Sequence, residues 1–119
     1  MSDFTGIDPH GLARLNKIGG SEFVIKMIDL FLEEIPDRLR AARNGELAGD
    51  TQAVAEAAHS IKSSAQNFGA ESLALIARKF EVMTRSNDCE NLAALLNELE
   101  QTYAVAKAWL ESQRNDLKR

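Results

Sequence analysis

Residues 59–70 read His-Ser-Ile-Lys-Ser-Ser-Ala-Gln-Asn-Phe-Gly-Ala, and they indicate how the rest of the chain is arranged. Residues three and four apart share one face of an α-helix, so this stretch and the residues before it divide into two stripes. The apolar stripe is Val54, Ala58, Ile61, Ala65 and Phe68; the small or polar stripe is Ala55, His59, Lys62, Ser63 and Gln66. Gly69 predicts the helix stop, as a C′ residue in the left-handed conformation. The pattern therefore predicts an exposed imidazole at the border of a buried helix face, with an ammonium group one turn away.

The chain before this stretch predicts one short and one long helix. Asp8-Pro9 is a helix start, because aspartate caps free N–H groups and proline is tolerated at the first helical position. Leu12, Leu15 and Ile18 are expected on its inner face, and Gly19-Gly20 is expected to end it. From Ser21 on, apolar residues recur at helical spacing over about five turns, which predicts a long amphipathic helix containing Pro36.

Three further helices follow from capping residues and spacing. Asp50 predicts the cap of the helix that carries His59, residues 71–85 form the next helix, and the last begins at about Cys89. Long helices joined by short turns favour an antiparallel up-down four-helix bundle, with the short N-terminal helix as an addition. We therefore expect an all-α protein, with residues 1–119 as one domain and a bundle core of about 21–114.

Composition excludes several classes of function. A net charge of −4 gives no overall basic field for nucleic acid, and no apolar run approaches the roughly 20 residues of a membrane span. The single cysteine, Cys89, excludes an internal disulfide and predicts a reducing compartment, so we expect a cytoplasmic protein. Two distant histidines without a cysteine cluster predict no metal site. His10 is expected to be a solvated surface histidine, because alanine stands three residues after it, at the position that corresponds to Lys62 after His59.

The stretch from His59 to Ala70 resembles the motif of the histidine phosphotransfer (HPt) family of two-component phosphorelays. His59, Ile61, Lys62, Ser64, Ala65, Phe68, Gly69 and Ala70 fit that motif, whereas Ser63 stands where the family usually has glycine. The resemblance continues upstream through Ile7-Asp8-Pro9, Leu12, Leu15, Gly19-Gly20, Phe31-Leu32-Glu33-Glu34 and Pro36. It thus covers most of the chain, and it implies the same helical bundle.

The resemblance implies a phosphocarrier without an ATP site, in which His59 accepts a phosphoryl group from an aspartyl phosphate of one receiver domain. His59 then passes the group to a response-regulator receiver. Lys62 and Gln66 are expected to stabilise the phosphoryl group, and small Ala55 and Ser63 to leave clearance for docking. The implied partners are receiver domains and a hybrid sensor histidine kinase, with apolar residues of the second and third helices as the docking surface. We expect a monomer without a cofactor of its own, because the receiver would supply the acidic pocket and Mg²⁺.

Three alternatives stay open at this point. The chain could be an HPt-like adaptor that binds a receiver without being phosphorylated, which the Ser63 departure makes worth testing. It could be the histidine domain of a chemotaxis-type kinase, although the sequence has no ATP-binding domain. It could also be a structural bundle. Incubation with a phosphorylated receiver separates them, because only the carrier takes label on His59.

Overall fold

The computed structural model describes residues 7–8, 10–86 and 90–118 of the chain. These residues form four helices: α1 (His10–Ala48), α2 (Thr51–Phe68), α3 (Glu71–Arg85) and α4 (Leu92–Leu117). Each helix packs against the next in the chain, and α4 closes the bundle against α1. The described ranges contain no strand. The predicted all-α bundle is confirmed, while the predicted start of the last helix near Cys89 lies outside the described residues.

Helix α1 consists of two helical segments that meet at Gly20. This residue has φ 76° and ψ −174°, a non-helical conformation that side chains with a Cβ rarely adopt. The break separates a segment at 10–19 from a longer segment at 21–48, so the predicted helix stop at Gly19-Gly20 is confirmed.

The prediction that Ile18 faces the core is wrong, because its side chain is 74% exposed. Steps of three residues turn by about 300°, so Ile18 points roughly 120° away from Leu12 around the helix axis. Leu15 is buried and Leu12 is partly buried against the core. Two inward side chains therefore attach this short segment.

The N-terminal segment is attached to the turn between α2 and α3. The backbone N–H of Asp8 donates to the carbonyl oxygen of Gly69 at 2.7 Å, and Ile7 beside it is buried. The Asp8 side chain caps α1, because its Oδ1 accepts from the backbone N–H of His10 at 3.0 Å. A Cβ on Gly11 would stand 2.1 Å from the carbonyl oxygen of Phe68, so only glycine permits this close approach.

The helix that carries His59 has both predicted ends. Asp50 accepts from the backbone N–H of Ala53 at 3.1 Å, and Gly69 follows the helix with φ 70° and ψ 23°. The left-handed glycine turns the chain within two residues, so α3 begins at Glu71 and returns alongside α2. The predicted cap and stop of this helix are confirmed.

The core is formed by the apolar stripes of all four helices. Every residue of the predicted apolar stripe of α2 is buried, and Phe31 of α1 packs its ring 4.9 Å from that of Phe68. The buried faces of α3 and α4 complete the core, with Met83 partly buried beside them: Leu73, Ile76, Ala77, Phe80, Leu92, Leu95, Leu96, Leu99, Tyr103, Ala106 and Leu110. Burial of this continuous surface stabilises the bundle that holds α2 in place.

Helix α1 continues through Pro36, which has no N–H to donate to the carbonyl oxygen of Leu32 one turn earlier. The hydroxyl of Tyr103 on α4 lies 3.5 Å from that oxygen and donates to it. A side chain of another helix thus replaces the missing backbone donor.

Among the described helices, none is both long enough and apolar enough to cross a membrane. The cytoplasmic location stays a prediction from the sequence.

Candidate functional site

His59 lies on the flank of α2, beside the buried stripe, and its side chain is 64% exposed. The neighbouring residues Ala58 and Ile61 are buried. The backbone under the imidazole is therefore fixed by core packing, while the ring itself remains accessible. This placement is the one that the helical spacing predicts.

A carboxylate of α3 joins the two polar residues of the site. Glu81 Oε2 lies 3.4 Å from His59 Nδ1, and Glu81 Oε1 lies 2.6 Å from Lys62 Nζ. The Glu81 side chain is only 17% exposed, so water screens these interactions less than at an open surface. Glu81 therefore connects the histidine and the lysine from the neighbouring helix.

The same contacts determine the charge of Glu81. The hydrogen bond from Lys62 lowers the pKa of the Glu81 carboxyl, burial opposes that shift, and the hydrogen bond with His59 lowers the pKa further. Glu81 is consequently ionised at neutral pH. An ionised carboxylate beside Nδ1 favours the tautomer that carries its proton there, which leaves the lone pair on Nε2.

Two hollows flank this arrangement along α2. A groove of about 580 Å³ between α2 and α3 contains His59 and Ala55, and Arg85 of α3 also lines it. A second hollow of about 340 Å³ contains Lys62 and Gln66 and is lined as well by Asp8, Arg14, Gly69, Glu71, Ala74, Leu75 and Arg78. Lys62 therefore opens into a different hollow from His59, the one that also contains Gln66.

The structure brings most of the predicted site residues together. Ser63 is exposed on the same flank of α2, one turn beyond His59. Gly69 lies apart from the histidine, at the turn, where it anchors Asp8. His10 is at the N-terminal segment, where its Nδ1 lies 3.0 Å from Asp8 Oδ1. Only one of the two histidines therefore has a lysine and a shielded carboxylate beside it.

Glu81 is the residue that the sequence analysis missed. In two antiparallel helices joined by a tight turn, residues at similar distances from the turn lie at the same height. His59 is about ten residues before Gly69, and Glu81 is about eleven residues after Ala70. These nearly equal distances from the turn place Glu81 at the height of His59. Because Glu81 follows buried Phe80, it also lies at the border of the core face of α3, so the contact could have been predicted from the sequence.

A helical bundle with an accessible histidine on one helix, beside a lysine and a carboxylate of the neighbouring helix, has the arrangement expected of a histidine phosphocarrier. Residues 26–109 match the family described as Hpt domain, which is more than half of the chain. The chain belongs to this family and is a histidine phosphotransfer protein of a phosphorelay. Membership implies receiver or kinase partners.

Three similar proteins agree with this assignment. The crystal structure of histidine-containing phosphotransfer protein B (HptB) from Pseudomonas aeruginosa PAO1 matches with a TM-score of 0.91 and 26% identity, covering 96% of this chain and 98% of that chain. The phosphorelay protein LuxU of Vibrio vulnificus strain YJ016 is 24% identical over 102 residues, which cover 82% of this chain and 89% of LuxU. The LuxU of strain CMCP6 matches to the same extent. Both the sequence and the fold thus place the chain among phosphotransfer proteins.

Proposed function

We propose that His59 is the phosphoacceptor and that Nε2 is the atom that reacts. The observation that supports this assignment is the Glu81 carboxylate at 3.4 Å from Nδ1 of a side chain that is 64% exposed, a contact that involves Nδ1 and not Nε2. The donor is the aspartyl phosphate of a receiver domain. The Nε2 lone pair attacks phosphorus, the N–P bond forms, and the P–O bond to the aspartate breaks, so that the aspartate leaves as a carboxylate. In the reverse step a second receiver takes the phosphoryl group.

Glu81 and Lys62 contribute charge rather than bonds to this exchange. The imidazole becomes more positive as the N–P bond forms, and the ionised Glu81 carboxylate beside Nδ1–H stabilises that charge. Lys62 carries three N–H donors, so it can keep its contact with Glu81 and donate to a phosphoryl oxygen. Gln66 lies in the same hollow as Lys62, where its amide could donate to the phosphoryl group or the partner.

The receiver is proposed to supply the carboxylates and the Mg²⁺ that activate the aspartyl phosphate. Phosphoryl transfer depends mainly on positioning and on neutralising charge, so a carrier can work with a nucleophile and one cation. We propose on these grounds that the protein acts as a monomeric phosphocarrier without kinase activity of its own. A hybrid sensor histidine kinase is the proposed source of the phosphoryl group.

The test of this proposal is the His59→Gln variant. We expect it to accept no label from a phosphorylated receiver while its helicity and thermal midpoint stay nearly unchanged, because the side chain is exposed. His10→Gln is the matched control and should accept label at the parent rate. Label on the His59→Gln variant, or its loss in His10→Gln, would refute the assignment. A parent that binds the receiver without taking label is the non-transferring adaptor.

A further inference from the structure

The outer face of α3 carries two exposed apolar side chains with two cations between them. Leu75 and Val82 are 57% and 56% exposed and lie two turns apart on this face. Arg78 and Lys79 stand between them, and the four residues line one shallow hollow together with Met83. We call Leu75, Arg78, Lys79 and Val82 the α3 surface. Large apolar side chains grouped in this way are typical of an interaction site rather than of scattered surface residues.

The α3 surface is continuous with the histidine site. Leu75 and Arg78 belong both to the α3 surface and to the hollow that contains Lys62 and Gln66. At the other end of α3, Arg85 lines the groove that contains His59. A protein that covers His59 and Lys62 from the α3 side therefore meets the α3 surface without a gap.

The charge of this region differs from that of the whole chain. The protein has a net charge of −4, yet Arg78, Lys79 and Arg85 are exposed on α3. Of the two acidic residues of α3, Glu81 is turned toward Lys62, and the exposed Glu71 at the first turn offsets one of the three cations. A partner that presents an acyl phosphate and a carboxylate-bound Mg²⁺ is acidic around its reacting aspartate. Opposite charges on the two protein surfaces increase the association rate and favour one orientation of the complex.

We propose that the receiver domain docks on the α3 surface as well as on the histidine flank of α2. Leu75 and Val82 would supply the apolar contact, and Arg78 with Arg85 would orient the acidic rim of the receiver over His59. This inference rests on the proposed function and identifies the part of the protein that holds the partner. It adds α3 to the docking surface, whereas the family resemblance implied a surface on the 21–48 segment of α1 and on α2.

The test compares two variants of the α3 surface, one with a double substitution and one with a charge reversal, each with a matched control on α4. The probe is the phosphorylated receiver that transfers fastest to the parent protein in a screen of receivers from its source organism. The Leu75→Ser/Val82→Ser variant removes the apolar contact, and Val105→Ser on α4, a residue 45% exposed, is its control. Arg78→Glu reverses one charge, and Lys107→Glu, an exposed residue of α4, is its control. Exposed substitutions of this kind change stability little, which a thermal melt verifies.

We expect kcat/KM for transfer from the receiver to fall about tenfold in Leu75→Ser/Val82→Ser, with little change in kcat. Arg78→Glu should slow transfer at low salt and flatten its dependence on ionic strength. Both controls should transfer as the parent does. Phosphoramidate, a small donor that needs no docking surface, should label His59 at the parent rate in Leu75→Ser/Val82→Ser and in both controls.

Three results would overturn the proposal. If Leu75→Ser/Val82→Ser keeps the parent kcat/KM, the receiver does not dock on the α3 surface, although the proposed function stands. If sedimentation shows that the parent dimerises and this variant does not, with equal transfer, the surface binds a second copy instead. If the parent takes label from neither receivers nor phosphoramidate, the proposed function itself fails and this inference fails with it.

Discussion

At the scale of single residues, one carboxylate serves two neighbours. Glu81 pairs with Lys62 through one oxygen and faces His59 Nδ1 with the other. The lysine is therefore not a free cation that waits for a phosphate, because its charge is already balanced by Glu81. If His59 is the phosphoacceptor as proposed, the arriving phosphoryl group would meet Lys62 and Glu81 already in contact with each other, and Lys62 would need only to share its N–H donors.

We predict that Glu81→Gln slows transfer to His59 by roughly tenfold or more, because a hydrogen bond to a charged group contributes about 1.5–3 kcal/mol. Glutamine keeps the size of the side chain, so the helical fold should remain. The measurement is single-turnover transfer from a phosphorylated receiver. An unchanged rate would mean that the contact with Nδ1 plays no part in the reaction.

The same variant tests a pH dependence of stability. The folded-state pKa of Glu81 is lowered from the ordinary value of 4.5, so its ionised contacts stabilise the fold above that value. This contribution is lost as the pH falls through the lowered pKa. We therefore expect the parent to be more stable than Glu81→Gln at pH 7, and the difference between their unfolding free energies to shrink at acidic pH. Denaturant unfolding at several pH values measures this difference.

Ser63 gives a prediction about access to the histidine. It is exposed one turn from His59, on the flank that a partner must approach. We predict that Ser63→Gln blocks transfer by filling this space. Ser63→Gly should transfer at least as fast as the parent and be slightly less stable, because glycine in a helix costs about 0.5–1 kcal/mol relative to alanine. Transfer rates with one receiver and thermal melts check both variants. Ser112→Gln, at an exposed position of α4, is the control. If Ser63→Gln transfers like the parent, the partner does not cross this flank.

At the scale of helices, the sequence predicted the elements better than the contacts between them. Gly20 and Gly69 act through their own backbone conformation, and Asp50 acts through its side chain on an N–H three residues away. These stops and this cap could therefore be predicted from local chemistry alone. The pairing of Glu81 with Lys62 depends on how α3 is set against α2, and a stripe pattern does not give that register. The position of Ile18 failed for a similar reason, because a three-residue spacing drifts off a helix face.

The contact of Tyr103 with α1 gives the prediction at this scale. Burial, with a smaller contribution from Glu111, raises the pKa of Tyr103 to about 12, so its hydroxyl stays protonated and donates to Leu32. We predict that Tyr103→Phe costs about 0.5–1.5 kcal/mol of unfolding free energy, since the Leu32 carbonyl loses its replacement donor.

A double-mutant cycle with Pro36→Ala isolates the cause. Alanine at position 36 returns the backbone N–H that Leu32 lacks, so Tyr103→Phe should cost less in the Pro36→Ala background. Urea unfolding of the four proteins gives the coupling energy. Equal costs in both backgrounds would show that the hydroxyl does not compensate for Pro36.

At the scale of the whole molecule, long-range contacts hold the bundle together at both ends. Arg114 of α4 pairs with Asp29 of α1 at 2.6 Å, and Arg43 of α1 contacts Asn97 and Glu100 of α4 at 2.8 and 3.0 Å. The N-terminal segment adds a third connection, to the turn after the histidine helix. Because that turn sets the register of α2 and α3, it also sets the distance between His59 and Glu81.

Gly11→Ala tests whether the N-terminal segment stabilises the molecule through this turn. Alanine favours a helix over glycine by roughly 0.5–1 kcal/mol, so helix propensity alone predicts a more stable protein. The new Cβ, however, would meet the backbone of Phe68 at 2.1 Å, and backbone atoms cannot yield as a flexible side chain does. We expect the segment to move away, exposing Ile7 and releasing the Asp8 hydrogen bond to Gly69. Overpacking of this kind typically costs about 1–3 kcal/mol.

The measurement is thermal unfolding followed by circular dichroism, together with hydrogen exchange of the Asp8 amide. Gly11→Ala should lower the midpoint and speed that exchange, whereas Lys17→Ala, at an exposed position of the same segment, should change neither. Transfer to His59 should also slow in Gly11→Ala if the turn controls how α3 presents Glu81. A higher midpoint with unchanged exchange would mean that helix propensity dominates at position 11, and that the N-terminal segment tolerates the added Cβ without leaving the turn.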